Sequence, residues 1–359
     1  GLGWFAVNSV SGAFALSTLT GMPQVLALLI IVVIEVGVAF IGHDLVQVFE
    51  RYAAYILGAI FLVATITIFL HAHVGSPVKG GGFNFAGFTV TLAAAFGYAA
   101  GWNPYASDYS RYLPARTRRS SIAWAAGLGN FVSCVVLMAA GAAAVTVTGF
   151  NPDANPTTQF VISMPTVVKD LTLVAIAVGA IAANALNIYS GAMSFLAAGV
   201  RIRFGLRRAI VALGFGIIGF FIAWSALADA GTKYDNFLLV IAYWIAPWLG
   251  IVFVDRFLRR GTTIASLLPE RAKYRNWAGF ITLIVAGFVS IWLFCNETFY
   301  TGPIAKNTSV GDLTPLVGFV LAAAIYLVLF KAFRPALGAP FGSAEADVPV
   351  GVDAADDEA

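Results

Sequence analysis

Charge is what this sequence has little of. Charged residues make up 11% of its 359 positions and hydrophobic ones 60%, whereas a soluble domain carries about a quarter charged residues. That deficit, with a mean hydropathy of +0.86, excludes water as the surrounding solvent. Cysteine is equally scarce. Cys134 and Cys295 lie in different apolar segments, fit no metal-ligand spacing and read as small buried hydrophobes. His71 and His73 have no third ligand near them in sequence, so a metal site is not expected. Gly80-Gly81-Gly82 is not followed by a P-loop Lys-Ser/Thr, which removes a phosphate cradle. No nucleophile, metal cluster or cofactor motif of an enzyme is visible, and no loop is long enough for the soluble domain of a receptor. Missing too are the basic region and cleavage site of a signal peptide. The chain opens on Gly1 and enters an apolar helix almost at once, so its natural beginning is expected to be absent.

What the chain does have is long apolar runs. A helical span needs about 20 apolar residues, and ten such runs are separated by charged or Gly/Pro/Asn-rich punctuation. They lie near residues 2–20, 23–42, 52–73, 88–112, 121–149, 167–197, 208–229, 234–256, 276–296 and 313–333. Residues 1–334 form the transmembrane domain in this reading. Residues 335–359, rich in Gly, Ala and Pro and acidic at the end, are read as a disordered cytoplasmic tail. Placing successive loops on alternate sides sends 17 of the 21 Lys and Arg to one side. Only Lys79, Lys169, Lys233 and Lys306 fall on the other. A miscounted span would scramble that partition. By the positive-inside rule the Arg-rich side is cytoplasmic, and both ends of the chain face it.

Polar groups inside apolar runs are costly and point to function. Trp4 and Asn8 are one helical turn apart on one face. An indole plate beside a carboxamide suits a flat heteroaromatic ligand, although an interfacial Trp near a helix end is the simpler reading of Trp4 alone. Residues 97–112 combine Gly97, Gly101 and Pro104 with Tyr98, Trp102, Asn103 and Asp108. Proline removes a backbone donor and glycine tolerates unusual angles, so this span is expected to be a broken helix lining a cavity. Asp108 and Arg111, three apart, are expected to pair. In Asn184-Ala185-Leu186-Asn187-Ile188-Tyr189-Ser190, two carboxamides a turn apart either bind a ligand or join helices. Glu35, set among Val, Ile and Gly, either anchors a neighbouring helix or relays a proton.

The run GWNPYASDYSRYLP at residues 101–114 resembles the sixth-helix region of the nucleobase:cation symporter-1 family, and within it the purine–cytosine permease branch. WFAVN at residues 4–8 is similar to that family's third-helix Trp and amide pair, and NALNIYS at residues 184–190 to its eighth helix. Order and spacing match over essentially the whole chain. The resemblance implies an all-α polytopic membrane protein with a leucine-transporter-type inverted-repeat fold, here family helices three to twelve, with the first two helices missing. It implies import of a nucleobase, cytosine or a purine, by cation symport, with another flat heterocycle such as hydantoin, allantoin, uracil or a vitamin precursor as the alternative. Trp4 would stack on the base and Asn8 would hydrogen-bond it. Asn187 would read another edge, supported by Asn184. Trp102 is the favoured opposing aromatic, with Tyr98 and the backbone at Ala99 as rivals. In sodium-coupled relatives, hydroxyl side chains five and six residues before the binding-site amide help hold the ion. Ala182 and Ile181 occupy those positions here and have no side-chain oxygen, so a co-transported proton is expected rather than sodium, with Glu35 as the coupling candidate. No cofactor or nucleic acid is implied. The expected setting is the bilayer of the plasma membrane, and the expected state is a monomer.

Overall fold

The computed structural model describes residues 1–340 except 42, 76–81, 111–112, 115, 198–203, 265–266 and 268–275. Arg111, Arg201, Arg203, Arg271, Lys273, Arg275, Lys79, Gly80 and Gly81 therefore lie outside the described residues, and the expected Asp108–Arg111 pair with them. The helices are α1 (Leu2–Thr20), α2 (Gln24–Ile41), α3 (His43–His71), α4 (Phe85–Ala100), α5 (Ala106–Ser110), α6 (Arg119–Ala144) and α7 (Pro156–Phe160). They continue as α8 (Thr166–Ala197), α9 (Phe204–Ala226), α10 (Ala230–Leu258), α11 (Trp277–Phe294), α12 (Pro303–Asn307) and α13 (Thr314–Phe333). Among the described residues nine helical segments are long and apolar enough to cross a membrane, and α2 adds a shorter apolar stretch at Gln24–Ala39. The ten expected runs are these ten segments, and the chain is an all-α polytopic protein.

Two boundaries differ from expectation. Helix α3 starts at His43 rather than near 52. A helix satisfies its backbone internally and so need not stop where its apolar stretch ends. The span expected over 88–112 stops at Ala100, passes through a 3₁₀ turn at Asn103–Tyr105 and resumes as α5. Pro104 has no N–H to give the Ala100 carbonyl, and the Asn103 side chain donates to that carbonyl instead, at 2.9 Å. Gly101 stays right-handed at φ −54°. The proline and the replacement donor accompany the break, with no unusual glycine angle at Gly101.

The chain divides into two compact units, residues 1–81 with 105–234, and residues 82–104 with 235–359. In the first, α1 packs on α2, α8 and α9. Its core joins Phe5, Val10 and Phe14 to Leu28 and Val32 of α2, Ile188 of α8 and Val211 of α9. A second cluster sets Ala15 of α1 against Ala64 and Ile68 of α3, Ala140 and Ala144 of α6, and Leu173 of α8. Alanine recurs because lipid leaves no hydrophobic drive between helices, so close approach of small residues supplies the packing.

In the second unit α11 packs on α13, and Ala278, Tyr326 and Phe330 form one cluster. Helix α4 lies so close to α10 that a Cβ at Gly97 would sit 2.0 Å from the Leu238 carbonyl oxygen. Only hydrogen fits there. Residues 335–340, expected to begin a disordered tail, are instead held in place. Thr262–Thr263 (β1) pairs antiparallel with Ala339–Pro340 (β2). Arg259 donates to the Ala336 carbonyl and Thr262 to that of Leu337. The backbone there finds partners that composition alone does not reveal. Residues 341–359 of the expected tail lie outside the described residues.

Candidate functional site

In the first unit Asn8, Ser9, Glu35, Asn184 and Asn187 share one hydrogen-bonded web. Asn184, fully buried on α8, stands at its centre. Its Oδ1 accepts from Asn8 Nδ2 and from Asn187 Nδ2, each at 3.0 Å. Its Nδ2 donates to the Phe5 carbonyl at 2.9 Å and to Ser9 Oγ at 3.2 Å. A carboxamide has two lone pairs and two N–H groups. All four are used, so Asn184 cannot take a ligand without losing a partner. Asn8 and Asn187 stand differently. Each places one N–H in the web, which leaves its carbonyl oxygen and second N–H outside it.

From Asn184 the web runs to a carboxyl. Ser9 Oγ lies 2.6 Å from Glu35 Oε2 and 2.8 Å from the Phe5 carbonyl. Both Ser9 and Glu35 are fully buried, and Glu35 Oε1 has no hydrogen-bond partner. The single Ser9 hydrogen can serve only one of its two neighbours at a time. When Glu35 is ionised it must take that hydrogen. When Glu35 is protonated it can donate to Ser9 Oγ, and the Ser9 hydrogen turns to Phe5. The charge state of Glu35 is thus coupled through one hydroxyl to the amide that orients Asn8 and Asn187. No Lys or Arg forms an ion pair with Glu35 among the described residues.

The other residues singled out from the sequence fall as follows. Trp4 is half-buried on α1, one turn before Asn8. Tyr98 and Ala99 lie in the last turn of α4, and Trp102 is exposed in the turn beyond it. These three belong to the second unit. His71 Nδ1 lies 2.8 Å from the Thr67 carbonyl oxygen and His73 Nε2 lies 3.3 Å from Thr148 Oγ1. No group of three or more metal-ligating side chains occurs among the described residues. Sequence reasoning missed Ser9. A polar residue directly after Asn8 in an apolar helix is a signal that could have found it. It also missed Glu297 and Asp312, which sit just outside apolar runs where acidic residues are unremarkable.

Residues 2–318 match the protein family described as "Permease for cytosine/purines, uracil, thiamine, allantoin". The chain is similar to the putative purine-cytosine permease YxlA of Bacillus subtilis, 28% identical over 344 residues, covering 92% of this chain and 73% of the relative. To the purine-cytosine permease fcyB of Emericella nidulans it is 29% identical over 350 residues, covering 91% and 67%. The purine-cytosine permease FCY21 of Saccharomyces cerevisiae is 25% identical over 364 residues, covering 93% and 66%. No solved structure matches significantly.

Proposed function

The chain belongs to the permease family for cytosine, purines, uracil, thiamine and allantoin, and from that premise we propose that it imports a nucleobase, cytosine or a purine, by proton symport and alternating access. The observation that carries this reading is the division of labour among three amides. Asn184 is saturated and holds Asn8 and Asn187 in place, each with an oxygen and an N–H left over from the web. A nucleobase edge presents donors and acceptors side by side, which a carboxamide can meet with both of its groups. Trp4, one turn from Asn8, supplies the stacking face. Glu35 is the proton carrier, and its link through Ser9 to Asn184 couples its charge to the setting of the binding amides. Lys and Arg asymmetry supports an orientation with both described ends on the cytoplasmic side, and the membrane this reading expects is the plasma membrane.

The test uses the protein in proteoliposomes. Labelled cytosine is expected to accumulate under an inward proton gradient and to do so without sodium. Glu35→Gln is expected to keep saturable binding but lose the response to the gradient. Uptake that collapses without sodium and ignores a protonophore would overturn proton coupling. Unchanged cytosine affinity in both Trp4→Ala and Asn187→Ala would reject the site. A competition panel of purines, cytosine, uracil, thiamine and allantoin ranks the substrates that the family description spans.

A further inference from the structure

The second unit holds an acidic pair that the transport reading does not use. Asp312 precedes α13 and Glu297 follows α11, and they are 2% and 4% exposed. Their surroundings are opposite in kind. Asp312 is fully satisfied: Oδ2 accepts from the Tyr243 hydroxyl and from the Asn296 N–H at 2.9 Å, and Oδ1 accepts from the Thr314 N–H at 2.9 Å. Its own N–H donates to Thr89 Oγ1 at 3.1 Å. The preceding residue must be glycine, because Gly311 has φ +68° and a Cβ there would lie 2.1 Å from that same hydroxyl. Such a donor set suits a carboxylate. Glu297 has no such set. Both of its carboxyl oxygens are buried without a hydrogen-bond partner. Two-way backbone bonds with Tyr300 hold the 296–301 turn that carries it.

We propose that Glu297 and Asp312 form a proton-binding site at this end of the second unit, with the proton on Glu297 and its release opening the 295–312 segment. Burial and the neighbouring Asp312 charge push the Glu297 carboxyl up to about 7; the Thr298 backbone N–H works against them, and Asp235 adds a smaller upward contribution. The groups that face the pair are Asp312 from the segment before α13, Asp235 and Tyr243 from α10, and Cys295 from the end of α11. Each is acidic or neutral. No Lys or Arg is ion-paired to either carboxyl among the described residues, and of the groups acting on Glu297 only the Thr298 backbone N–H favours a second negative charge. A metal ion fits less well than a proton, because the Asp312 oxygens already accept three hydrogen bonds and only one carboxylate would remain for it.

The sign follows from the upward displacement. The closed segment is favoured while Glu297 is neutral, and that preference is lost as pH rises through about 7. Hydrogen–deuterium exchange of the intact protein, corrected for intrinsic rates, reads the opening of residues 296–312 directly. Opening is expected to rise at least tenfold between about pH 5 and about pH 8, whereas Glu297→Gln stays closed and flat. A wild-type response that ignores pH, or a Glu297→Gln variant that keeps the wild-type slope, overturns the proposal. Closure on adding calcium at about pH 8 would assign the site to a metal and overturn it as well. Should Glu297→Gln fail to fold, carboxyl NMR of ¹³C-glutamate in Glu35→Gln protein decides the matter. One glutamic acid titrating near neutrality is expected, and full ionisation by about pH 5.5 refutes it. Neither readout depends on substrate, so failure here leaves the transport reading untouched, and the reverse holds.

Discussion

Replacing Asn184 and Asn187 separately by alanine separates the residue that organises the web from one proposed to read the ligand. Asn184 makes four side-chain hydrogen bonds, three of them from α8 to α1. At about 0.6 kcal/mol for a side-chain hydrogen bond between transmembrane helices, the three to α1 are worth about 2 kcal/mol. Asn187 makes the fourth bond, within its own helix, so its loss costs about 0.6 kcal/mol on the same scale. For ligand binding the order reverses. Asn187→Ala removes an oxygen and an N–H that would meet the base, and two neutral hydrogen bonds at about 1 kcal/mol each correspond to a roughly 30-fold loss in affinity. Asn184→Ala leaves both reading amides present and merely unpinned, so about tenfold is expected, from lost preorganisation. The assay is a pair of measurements on the same purified variants, thermal unfolding and equilibrium binding of labelled cytosine. Asn184→Ala should melt well below Asn187→Ala yet bind more tightly. If Asn187→Ala is the less stable variant and Asn184→Ala the weaker binder, the roles assigned from the hydrogen bonds are reversed and the reasoning fails.

Two further perturbations concern the second unit. Gly97→Ala would place a methyl 2.0 Å from the Leu238 carbonyl oxygen; separating α4 from α10 should cost about 3 kcal/mol or more, visible as a lowered melting temperature. Arg259, 3% exposed, donates to both Asp255 oxygens and lies 5.3 Å from the Phe330 ring centroid. Removing one partner of a buried pair costs about 3–5 kcal/mol, and about half of that is expected for Arg259→Ala because the Asp255 side chain is 29% exposed and keeps the Tyr326 hydroxyl. The released 335–340 segment should become a protease target, and unchanged cleavage there would show that Arg259 does not hold it.

What could be read from the sequence alone was whatever depends on neighbours along the chain. Ten apolar runs and the distribution of Lys and Arg are one-dimensional properties, and a helix in lipid follows from run length because no other single-segment structure satisfies its backbone. The break after Ala100 was legible for the same reason, since Pro104 acts on a carbonyl four residues away. Asn8, Asn184, Asn187 and Glu35 could be singled out because a polar group in an apolar run is conspicuous by itself. Their division of labour could not. Asn8 meets Asn184 across 176 positions, and Ser9 meets Glu35 across 26, so only packing of α1 against α8 and α2 reveals that one amide is saturated and two are not. Glu297 and Asp312 show the limit most plainly. In the sequence they are two acidic residues beside apolar runs, indistinguishable from solvated loop charges. Both are almost fully buried, so burial does not tell them apart; the tertiary structure gives Asp312 its donors and leaves the Glu297 oxygens without them, and on the proposal above that difference in hydrogen bonding places the proton on Glu297.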